Sequence, residues 1–342
     1  MPRCLITGAS GFVGSNLVAH MEHAGWAVRC LVRPTSQTES LTSRGVELMV
    51  GSLADLPSLQ RAVAGMDVVF HLAGRLQALC HADFQQDNVV GTRHLTEACA
   101  NLSQPPVMVI VSSLAAGGPA TEQAPRIETD TDLPISNYGR SKQAAEQAAA
   151  TWASEVPISI VRPPIVFGPA DHDGLKIFQS VKRFHLHLVP AFHKFHVSII
   201  HVGDLCDALL RVASHGSRIV SVTHSKTRTI ADVATGTYYA TTERVLEYQE
   251  MGRLAAQAID TRTLVLPMPK IAFWTVGALG EALGQLTRRP GYLNLDKMRE
   301  ATASSWVCAD EKIRRDLDYQ PTTPLAQQFA ETARWYEAHK WL

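Results

Sequence analysis

The stretch TGASGFVG, Thr7 to Gly14, decides how the first part of the chain folds. It follows a short apolar run, and its glycines, Gly8, Gly11 and Gly14, stand where a strand would pass into a helix. Glycine is needed where a chain turns tightly and where its backbone approaches a pyrophosphate, and a helix N-terminus offers free N–H groups to that anion. The stretch therefore predicts a dinucleotide-binding turn between a strand and a helix.

Short β-branched runs alternate with longer helical segments over the first half of the chain. The predicted strands are 4–7, 27–32, 46–50, 68–72, 107–112 and 158–162, and the predicted helices between them include 14–24, 56–64 and 87–100. The strand runs are continuously apolar, which is typical of a parallel sheet covered on both faces. We therefore predict an α/β fold, a Rossmann-type doubly wound parallel sheet that binds its ligand at the carboxyl ends of the strands.

The regular alternation ends near residue 166, where Pro, Gly and His become frequent. We expect residues 1–165 to form the nucleotide-binding domain, with a returning segment near 197–212. Residues 166–342 are expected to form mainly a smaller C-terminal substrate-binding lobe.

The overall composition bears on the possible binding partners and on the redox state of the cysteines. Lys plus Arg and Asp plus Glu number 32 each, so net charge gives no argument for nucleic acid or an acidic surface. The six cysteines form no CxxC pair, which is typical of reduced thiols in a cytoplasmic protein. No signal peptide is expected, because the N-terminus passes directly into a strand-like run.

The most apolar later stretch is Ile271 to Leu286. Three glycines and Glu281 interrupt it before it reaches the ~20 residues that span a bilayer. We predict no membrane span and a buried or amphipathic helix, with a helix lying on a membrane surface as the alternative.

The spacing of the glycine turn resembles that of the extended short-chain dehydrogenases/reductases, the NAD-dependent epimerase/dehydratase family. The resemblance runs from the N-terminus to VRPPIVFGP, Val161 to Pro169, and HLAG, His71 to Gly74, matches the loop over the cofactor. Ser52 stands where the family has an Asp that binds the adenine, which leaves apolar packing by Leu53. The resemblance implies these cofactor-binding residues: Gly8, Ser10, Gly11, Phe12, Val13, Arg33, Leu53, Leu72, Ala73, Gly74, Ser112, Tyr138, Lys142 and Pro163.

The end of the second strand bears on the choice of cofactor. NAD sites carry an acidic residue about 20 positions after the glycines, bound to the ribose 2′-hydroxyl. This chain has Arg33 there, and no acid before Glu39. A guanidinium can pair with a 2′-phosphate through two parallel hydrogen bonds. Arg33, with Thr35 or Ser36, therefore favours NADP over NAD, and a solvated surface arginine is the alternative.

The stretch SNYGRSK, Ser136 to Lys142, places Tyr138 and Lys142 one helical turn apart. It resembles the Tyr-x-x-x-Lys pair of the same superfamily, and VSSLAAGG after the fifth strand supplies Ser113 as the catalytic serine, with Ser112 beside it. A phenol with a pKa of ~10 is a poor base at neutral pH, and a nearby ammonium group favours the phenolate. The resemblance implies that Tyr138 is the general acid/base, that Lys142 also holds the nicotinamide ribose, and that Ser113 binds the substrate oxygen.

Four further positions separate the reactions of the extended family. Leu114 and Ala115 follow the serine, where sugar dehydratases carry acidic groups. Ile165 and Val197 stand where sugar-nucleotide enzymes usually have an Asn and an Arg that bind the diphosphate. We therefore expect an NAD(P)-dependent dehydrogenase or reductase acting on a rather apolar secondary alcohol or ketone.

Two alternatives remain open. One is a redox-neutral nucleotide-sugar epimerase with tightly bound NAD. The other is a nucleotide-sensing protein without activity, although such relatives typically lose the Tyr or the Lys that are both present here. The resemblance also implies a homodimer through the helices that contain Asp87 and Gln143. Close packing within the subunit is the other explanation for the Ala-rich segment Gln143 to Ala153.

The segment 166–196 is rich in Phe and His. If the substrate is apolar, its phenylalanines should line the pocket: Phe167, Phe178, Phe184, Phe192 and Phe195. Its histidines raise the question of a metal site, but no carboxylate cluster accompanies them and the reaction needs no metal, so we predict none. The expected partner is a small-molecule substrate.

Overall fold

A seven-stranded parallel sheet forms the centre of the molecule in the computed structural model, which describes residues 1–190, 194–220, 230–291 and 293–342. Its strands are β1 (Arg3–Thr7), β2 (Ala27–Val32), β3 (Glu47–Val50), β4 (Val68–His71), β5 (Val107–Val111), β6 (Ile158–Arg162) and β11 (Thr237–Tyr239). They lie in the order β11-β6-β5-β4-β1-β2-β3, and every neighbouring pair is parallel. The six predicted strands and the doubly wound parallel fold are confirmed. The edge strand β11 was not predicted from the sequence.

The remaining strands lie outside this sheet and form three separate pairs. They are β7 (Ile165–Phe167) with β10 (Ile199–His201), β8 (Leu186–Pro190) with β13 (Leu264–Met268), and β9 (His196–Val197) with β12 (Leu246–Glu247).

The helices of the N-terminal half are α1 (Phe12–His23), α2 (Glu39–Thr42), α3 (Leu56–Val63), α4 (His81–Phe84), a π-helical segment (Gln85–Val90), α5 (Gly91–Ala100), α6 (Leu114–Gly117) and α7 (Asn137–Ala150). Those of the C-terminal half are α8 (His172–Phe184), α9 (Val202–His215), α10 (Ile230–Thr235), α11 (Tyr248–Ala258), α12 (Lys270–Thr287), α13 (Leu295–Ala301), α14 (Glu311–Leu317) and α15 (Leu325–Ala338).

The sheet is apolar on both faces because successive side chains of a strand point in opposite directions. On β1, Ile6 packs into the core shared with Leu17 of α1 and Leu205 of α9. Its neighbour Leu5 packs on the other face, in the core that includes Leu59 of α3. Burying each such side chain contributes roughly 1.5–3 kcal/mol, which explains why the strand sequences are apolar without alternation.

The segment 197–212 contains β10, which pairs with β7 outside the central sheet, and most of α9, which packs against that sheet and against α1. The smaller lobe has its own core, built around Phe178, Phe329 and Tyr336, which brings α8 together with α15. This lobe faces the carboxyl ends of the central strands, and the two surfaces enclose one large cleft.

The helix that the sequence analysis predicted as buried or amphipathic forms as α12, and it is not buried but lies on the surface. Only Gly277 and Gly284 are buried in it, whereas its leucines point outwards. Among the residues that the structure describes, no helix is both long and apolar enough to cross a membrane.

Candidate active site

The cleft between sheet and lobe has a volume of about 1410 Å³. Single ligands occupy pockets of ~300–1,000 Å³, so this volume suits a dinucleotide together with a second molecule. The cleft is lined by every residue that the sequence analysis assigned to the cofactor or to catalysis: Gly8, Ser10, Gly11, Phe12, Val13, Arg33, Leu53, Leu72, Ala73, Gly74, Ser112, Ser113, Tyr138, Lys142 and Pro163. The fold thus brings these residues together from segments far apart in the chain.

Each glycine of the turn between β1 and α1 is needed for a different structural reason. Gly8 has a φ of +73°, and a Cβ atom there would lie 2.8 Å from the main-chain nitrogen of Ala73. A Cβ on Gly14 would overlap the carbonyl oxygen of Gly8, so this glycine lets α1 approach β1 closely. A Cβ on Gly11 would meet only that same oxygen, at 3.3 Å, and is otherwise open to the cleft. Gly11 is therefore the position where the backbone itself is accessible to a ligand.

The N-terminus of α1 is suited to an anion. Gly11 is the N-cap residue and has no side chain to satisfy the first turn, which contains no acidic residue. Phe12 and Val13 begin the helix, where N–H groups have no partner within the helix itself. These free donors and the helix dipole together favour a phosphate group at this end.

Ser112 gives a second indication of a ligand. Its hydroxyl is buried in the wall of the cleft and has no hydrogen-bond partner among the residues that the structure describes. Buried hydroxyl groups are normally satisfied, so this one is available to a molecule that enters the cleft. A nicotinamide dinucleotide fits these observations, with the glycine turn around its pyrophosphate and Ser112 farther along the cleft.

Arg33 lies at the end of β2, exposed at the rim of the cleft. Its main-chain nitrogen donates to the hydroxyl of Ser36, 3.0 Å away, which closes a tight turn and places both residues at the same opening. Among the described residues no carboxylate forms an ion pair with the guanidinium. The arginine is therefore free to bind an anion at the end of the cleft next to the glycine turn.

The loop after β4 is held over the cleft by a side chain whose role was not recognised in the sequence. Asn88 accepts a hydrogen bond from the Arg75 nitrogen at 2.6 Å and donates one to the Ser141 hydroxyl at 2.9 Å. This buried amide joins the loop 72–75 to the helix that carries Tyr138. The motif NVVGT was the available signal, but the sequence could not show that Asn88 connects two walls of the site.

Helix α7 brings Tyr138 and Lys142 into the cleft. Ser136 caps this helix by accepting a hydrogen bond from the Gly139 nitrogen at 2.9 Å. Farther along α7, the buried Glu146 forms an ion pair with Arg162 of β6, which fixes the helix against the sheet. Because both anchors are on the helix itself, the tyrosine and the lysine have a defined position relative to the strand ends.

Lys142 donates a hydrogen bond to the carbonyl oxygen of Val111, 2.8 Å away at the end of β5. Burial lowers the pKa of its ammonium group to about 8, although the charge of Glu146 acts in the opposite direction. The side chain thus remains largely charged at neutral pH and already lies beside Ser112 and Ser113.

Burial raises the pKa of the Tyr138 phenol to about 12. The charge of Glu300 raises it further, whereas a hydrogen bond with Ser113 and the charge of Lys297 lower it. Lys142, which we expected to tune the phenol, donates a hydrogen bond to the carbonyl oxygen of Val111 in this structure. The phenol is therefore protonated at neutral pH and can donate a proton.

Helix α13 forms a part of the site that the sequence analysis missed. The carboxylate of Asp296 accepts hydrogen bonds from the main-chain nitrogens of Asn137 and Tyr138, at 2.7 and 3.1 Å. Glu300 accepts one from the Ser136 hydroxyl at 2.7 Å. Two carboxylates from one short helix thus stabilise the N-terminus of α7. No local motif distinguishes them, because their function depends on a contact across the whole chain.

The predicted aromatic lining is correct only in part. Phe167 and Phe195 line the cleft, whereas Phe178 packs in the core of the lobe and Phe184 is exposed on the surface. The prediction was therefore wrong for these two, because their positions on α8 face away from the cleft. Phe192 lies outside the described residues.

Other aromatic and apolar side chains line the cleft in place of Phe178 and Phe184. The lobe side of the cleft is lined by Ile165, Tyr248, Met251 and Trp306. The diphosphate ligands of sugar-nucleotide enzymes are missing here, since Ile165 presents only an apolar side chain and Val197 is fully buried in the lobe core. This half of the cleft offers mainly dispersion and hydrophobic contacts to a substrate.

The histidines of this segment have other partners. His187 is hydrogen-bonded to the Tyr248 carbonyl oxygen, and His201 accepts from the Gly203 nitrogen, each at 3.2 Å. His193 lies outside the described residues. Within the part of the chain that the structure describes, no three or more potential metal ligands lie together.

Comparisons with known proteins agree with this geometry. The model of the NAD dependent epimerase/dehydratase family matches residues 4–224. A ceramide reductase of Caulobacter vibrioides is 30% identical over 98% of this chain and 95% of its own length. A UDP-glucose 4-epimerase of Vibrio cholerae is 25% identical over 98% and 95% of the two chains. The crystal structure of gox2253 shares the fold, with a TM-score of 0.77, 23% identity and 99% coverage of each chain.

Proposed function

The chain belongs to the NAD-dependent epimerase/dehydratase family, and we propose that it is a reductase or dehydrogenase that transfers a hydride between a nicotinamide cofactor and an apolar ketone or secondary alcohol. Relatives of this chain are named reductases and dehydrogenases, which supports an NAD(P)-dependent oxidoreductase. Residues 1–165 would hold the cofactor, and the lobe formed mainly by 166–342 would hold the substrate.

The chain's own residues would move the proton and stabilise the charge. The cofactor supplies or accepts the hydride when it is bound. Ser113 would hold the substrate oxygen, and Tyr138 would donate its proton to that oxygen during reduction or remove it during oxidation. Lys142 would bind the nicotinamide ribose and favour the phenolate that remains after donation.

The observation that carries this proposal is the convergence of Ser113, Tyr138 and Lys142 beside a cleft wall without diphosphate ligands. Ile165 and Val197 cannot bind a charged diphosphate, whereas Phe167, Tyr248 and Met251 favour an apolar molecule. The match to a protein named a ceramide reductase supports a lipid-like substrate.

We propose NADP as the preferred cofactor, because Arg33 is unpaired at the rim among the described residues and no acid follows β2 before Glu39. To test the proposed function, the purified protein is denatured and any released nucleotide is identified by mass. An empty protein that then binds NADPH more tightly than NADH supports a dehydrogenase whose cofactor dissociates after each turnover. Stoichiometric NAD would contradict it and favour the epimerase.

An epimerase remains the second candidate because of one observation. The basic side chains of Lys176, Lys297 and Arg299 line the cleft beyond the catalytic residues and could meet an anionic group. However, all three form ion pairs: Lys176 with Asp173, Lys297 with Glu300, and Arg299 with Asp296. Turnover of a UDP-sugar without added cofactor would favour this alternative.

We further propose a homodimer in a reducing compartment such as the cytoplasm. Ala144 and Ala148 are partly exposed one turn apart on α7, where small side chains permit close approach of a second helix. All six cysteines are unpaired, five of them buried. Light scattering of the purified protein tests the dimer, since a monomer at micromolar concentration contradicts it.

A further inference from the structure

Helix α12 packs against the protein through its small residues, whereas a helix on the surface of a water-soluble protein usually packs through its large apolar residues. Its small face is buried: a Cβ on Gly277 would overlap the side chain of Met298, and one on Gly280 would overlap the carbonyl oxygen of Leu293. A surface helix normally turns its large apolar residues inwards. Here glycines occupy the packed face, so the leucines are left on the outer face.

The outer face of α12 carries a mainly apolar stripe, in which Thr275 is an exposed polar residue between Ile271 and Leu279. Ile271, Leu279, Leu283 and Leu286 are 75%, 68%, 60% and 83% exposed and follow one another at helical spacing. The one charged residue inside α12 after Lys270 is Glu281, which lies towards the cleft. Contiguous exposed apolar surface of this kind usually marks an interaction site.

Basic residues flank the stripe at both ends. The segment 262–289 contains four basic residues, Arg262, Lys270, Arg288 and Arg289, and a single acidic one. All four basic residues are exposed, and among the described residues no carboxylate pairs with Arg288 or Arg289. A bilayer with acidic lipids is apolar inside and anionic at its boundary with water. An apolar helix face between basic residues complements such a bilayer.

The strand that leads into α12 also exposes apolar side chains. Leu264 and Leu266 of β13 are exposed, and β13 pairs with β8, where Leu188 is exposed as well. On the other side, Phe273 of α12 lines the cleft. The apolar surface therefore reaches from the outside of the lobe to the wall of the substrate-binding site.

We propose that α12 is an interfacial membrane-binding helix, which lies in the headgroup region of a bilayer containing acidic lipids and leaves the rest of the protein in water. The stripe enters the boundary of the acyl chains, and Lys270, Arg288 and Arg289 contact lipid phosphates. This position of α12 at the membrane is proposed independently of the reaction. It would bring the cleft close to the interior of the bilayer, in which apolar molecules dissolve.

The test is sedimentation of the purified full chain with vesicles of phosphatidylcholine, with and without phosphatidylglycerol. We expect binding to the vesicles with phosphatidylglycerol and much weaker binding to those without. The variant Leu279→Ser/Leu283→Ser should bind more than about tenfold more weakly, because it removes two large apolar groups from the interface. Leu133→Ser is the matched control, since Leu133 is exposed to the same degree, 61%, away from α12.

The charge contribution is tested separately. Arg288→Gln/Arg289→Gln should remove most of the preference for acidic vesicles, whereas Arg315→Gln, an exposed arginine on α14, should not. Unchanged NADPH binding shows that the variants are folded. Equal vesicle binding by wild type and the leucine variant overturns the proposal. The proposal is also overturned if the wild type binds no vesicles and is a dimer that the same leucine substitutions dissociate. The stripe would then be the contact with a second copy of the chain.

Discussion

The carboxylate of Asp296 lies 3.1 Å from the main-chain nitrogen of Tyr138, although the two residues are 158 positions apart. This contact connects the C-terminal lobe to the first turn of α7, the helix that carries Tyr138 and Lys142. A negative charge at a helix N-terminus is favourable, and here the residue that benefits is the proposed proton donor. The C-terminal lobe therefore contributes directly to the position of the helix that carries Tyr138.

Replacement of Asp296 tests this coupling. Asp296→Ala should lower the free energy of unfolding by about 0.5–2 kcal/mol, the usual effect of losing a helix cap. It should also lower kcat more than it weakens NADPH binding, because the loss falls on α7 and not on the glycine turn. Asp296→Asn, which keeps one acceptor oxygen, should recover part of kcat. Equal effects of Asp296→Ala and the surface control Asp316→Ala would refute a positioning role.

Removal of the Tyr138 hydroxyl tests the chemistry. Tyr138→Phe should reduce kcat by roughly 10²–10⁴-fold, the usual contribution of a positioned general acid, while NADPH binding measured by calorimetry stays nearly unchanged. Tyr248→Phe, also in the cleft, is the matched control and should retain activity. Full turnover by Tyr138→Phe would show that another group transfers the proton.

Substitutions at two of the three glycines of the turn, Gly11 and Gly14, should separate the effect on cofactor binding from the effect on folding. Gly14→Ala places a Cβ against the Gly8 carbonyl oxygen, so it should destabilise the fold by about 1–3 kcal/mol. Gly11→Ala places its Cβ on the open side of the turn and should cost about 1 kcal/mol or less, yet weaken NADPH binding more than tenfold. Denaturant unfolding and calorimetry measure the two effects. A Gly11→Ala variant with native affinity would place the pyrophosphate elsewhere.

Arg33 should set the choice between the two cofactors. Arg33→Asp replaces a cation that can pair with a 2′-phosphate by an anion that repels it. Loss of a charge-assisted hydrogen bond of roughly 1.5–3 kcal/mol should weaken NADPH binding by more than tenfold, with NADH binding equal or improved. The ratio of the two dissociation constants is the readout. An unchanged ratio would mean that Arg33 is a solvated surface residue.

The buried ammonium group of Lys142 should make cofactor binding dependent on pH. Its pKa is lowered to about 8, so the group is charged below that pH and neutral above it. NADPH affinity should therefore fall as the pH rises through 8. Lys142→Gln should bind more weakly at pH 7 and lose this dependence, as titration calorimetry across the range can show. Persistence of the same pH dependence in the variant would assign it to another group.

The local sequence was sufficient to predict the nucleotide-binding half of the protein. The strand runs and the glycine turn follow from short-range requirements for apolar strands and tight turns, whereas Ser113, Tyr138 and Lys142 were assigned from the resemblance of their motifs to a known family. All three residues line the cleft where the sequence placed the site. Such features can be predicted because each depends on neighbours within about one strand or one helical turn.

The tertiary structure decided the features that depend on distant partners. The sequence did not reveal strand β11, the caps that Asp296 and Glu300 provide for α7, or the outward position of Phe184. It also predicted an apolar helix at 271–286 without showing which face would be buried. Glycine packing against 293–298 leaves the leucines outside, and only the fold fixes which segment those glycines meet. Apolar periodicity and turn residues thus predicted the elements, and motif resemblance predicted the chemistry, whereas long-range packing determined which surfaces those elements present.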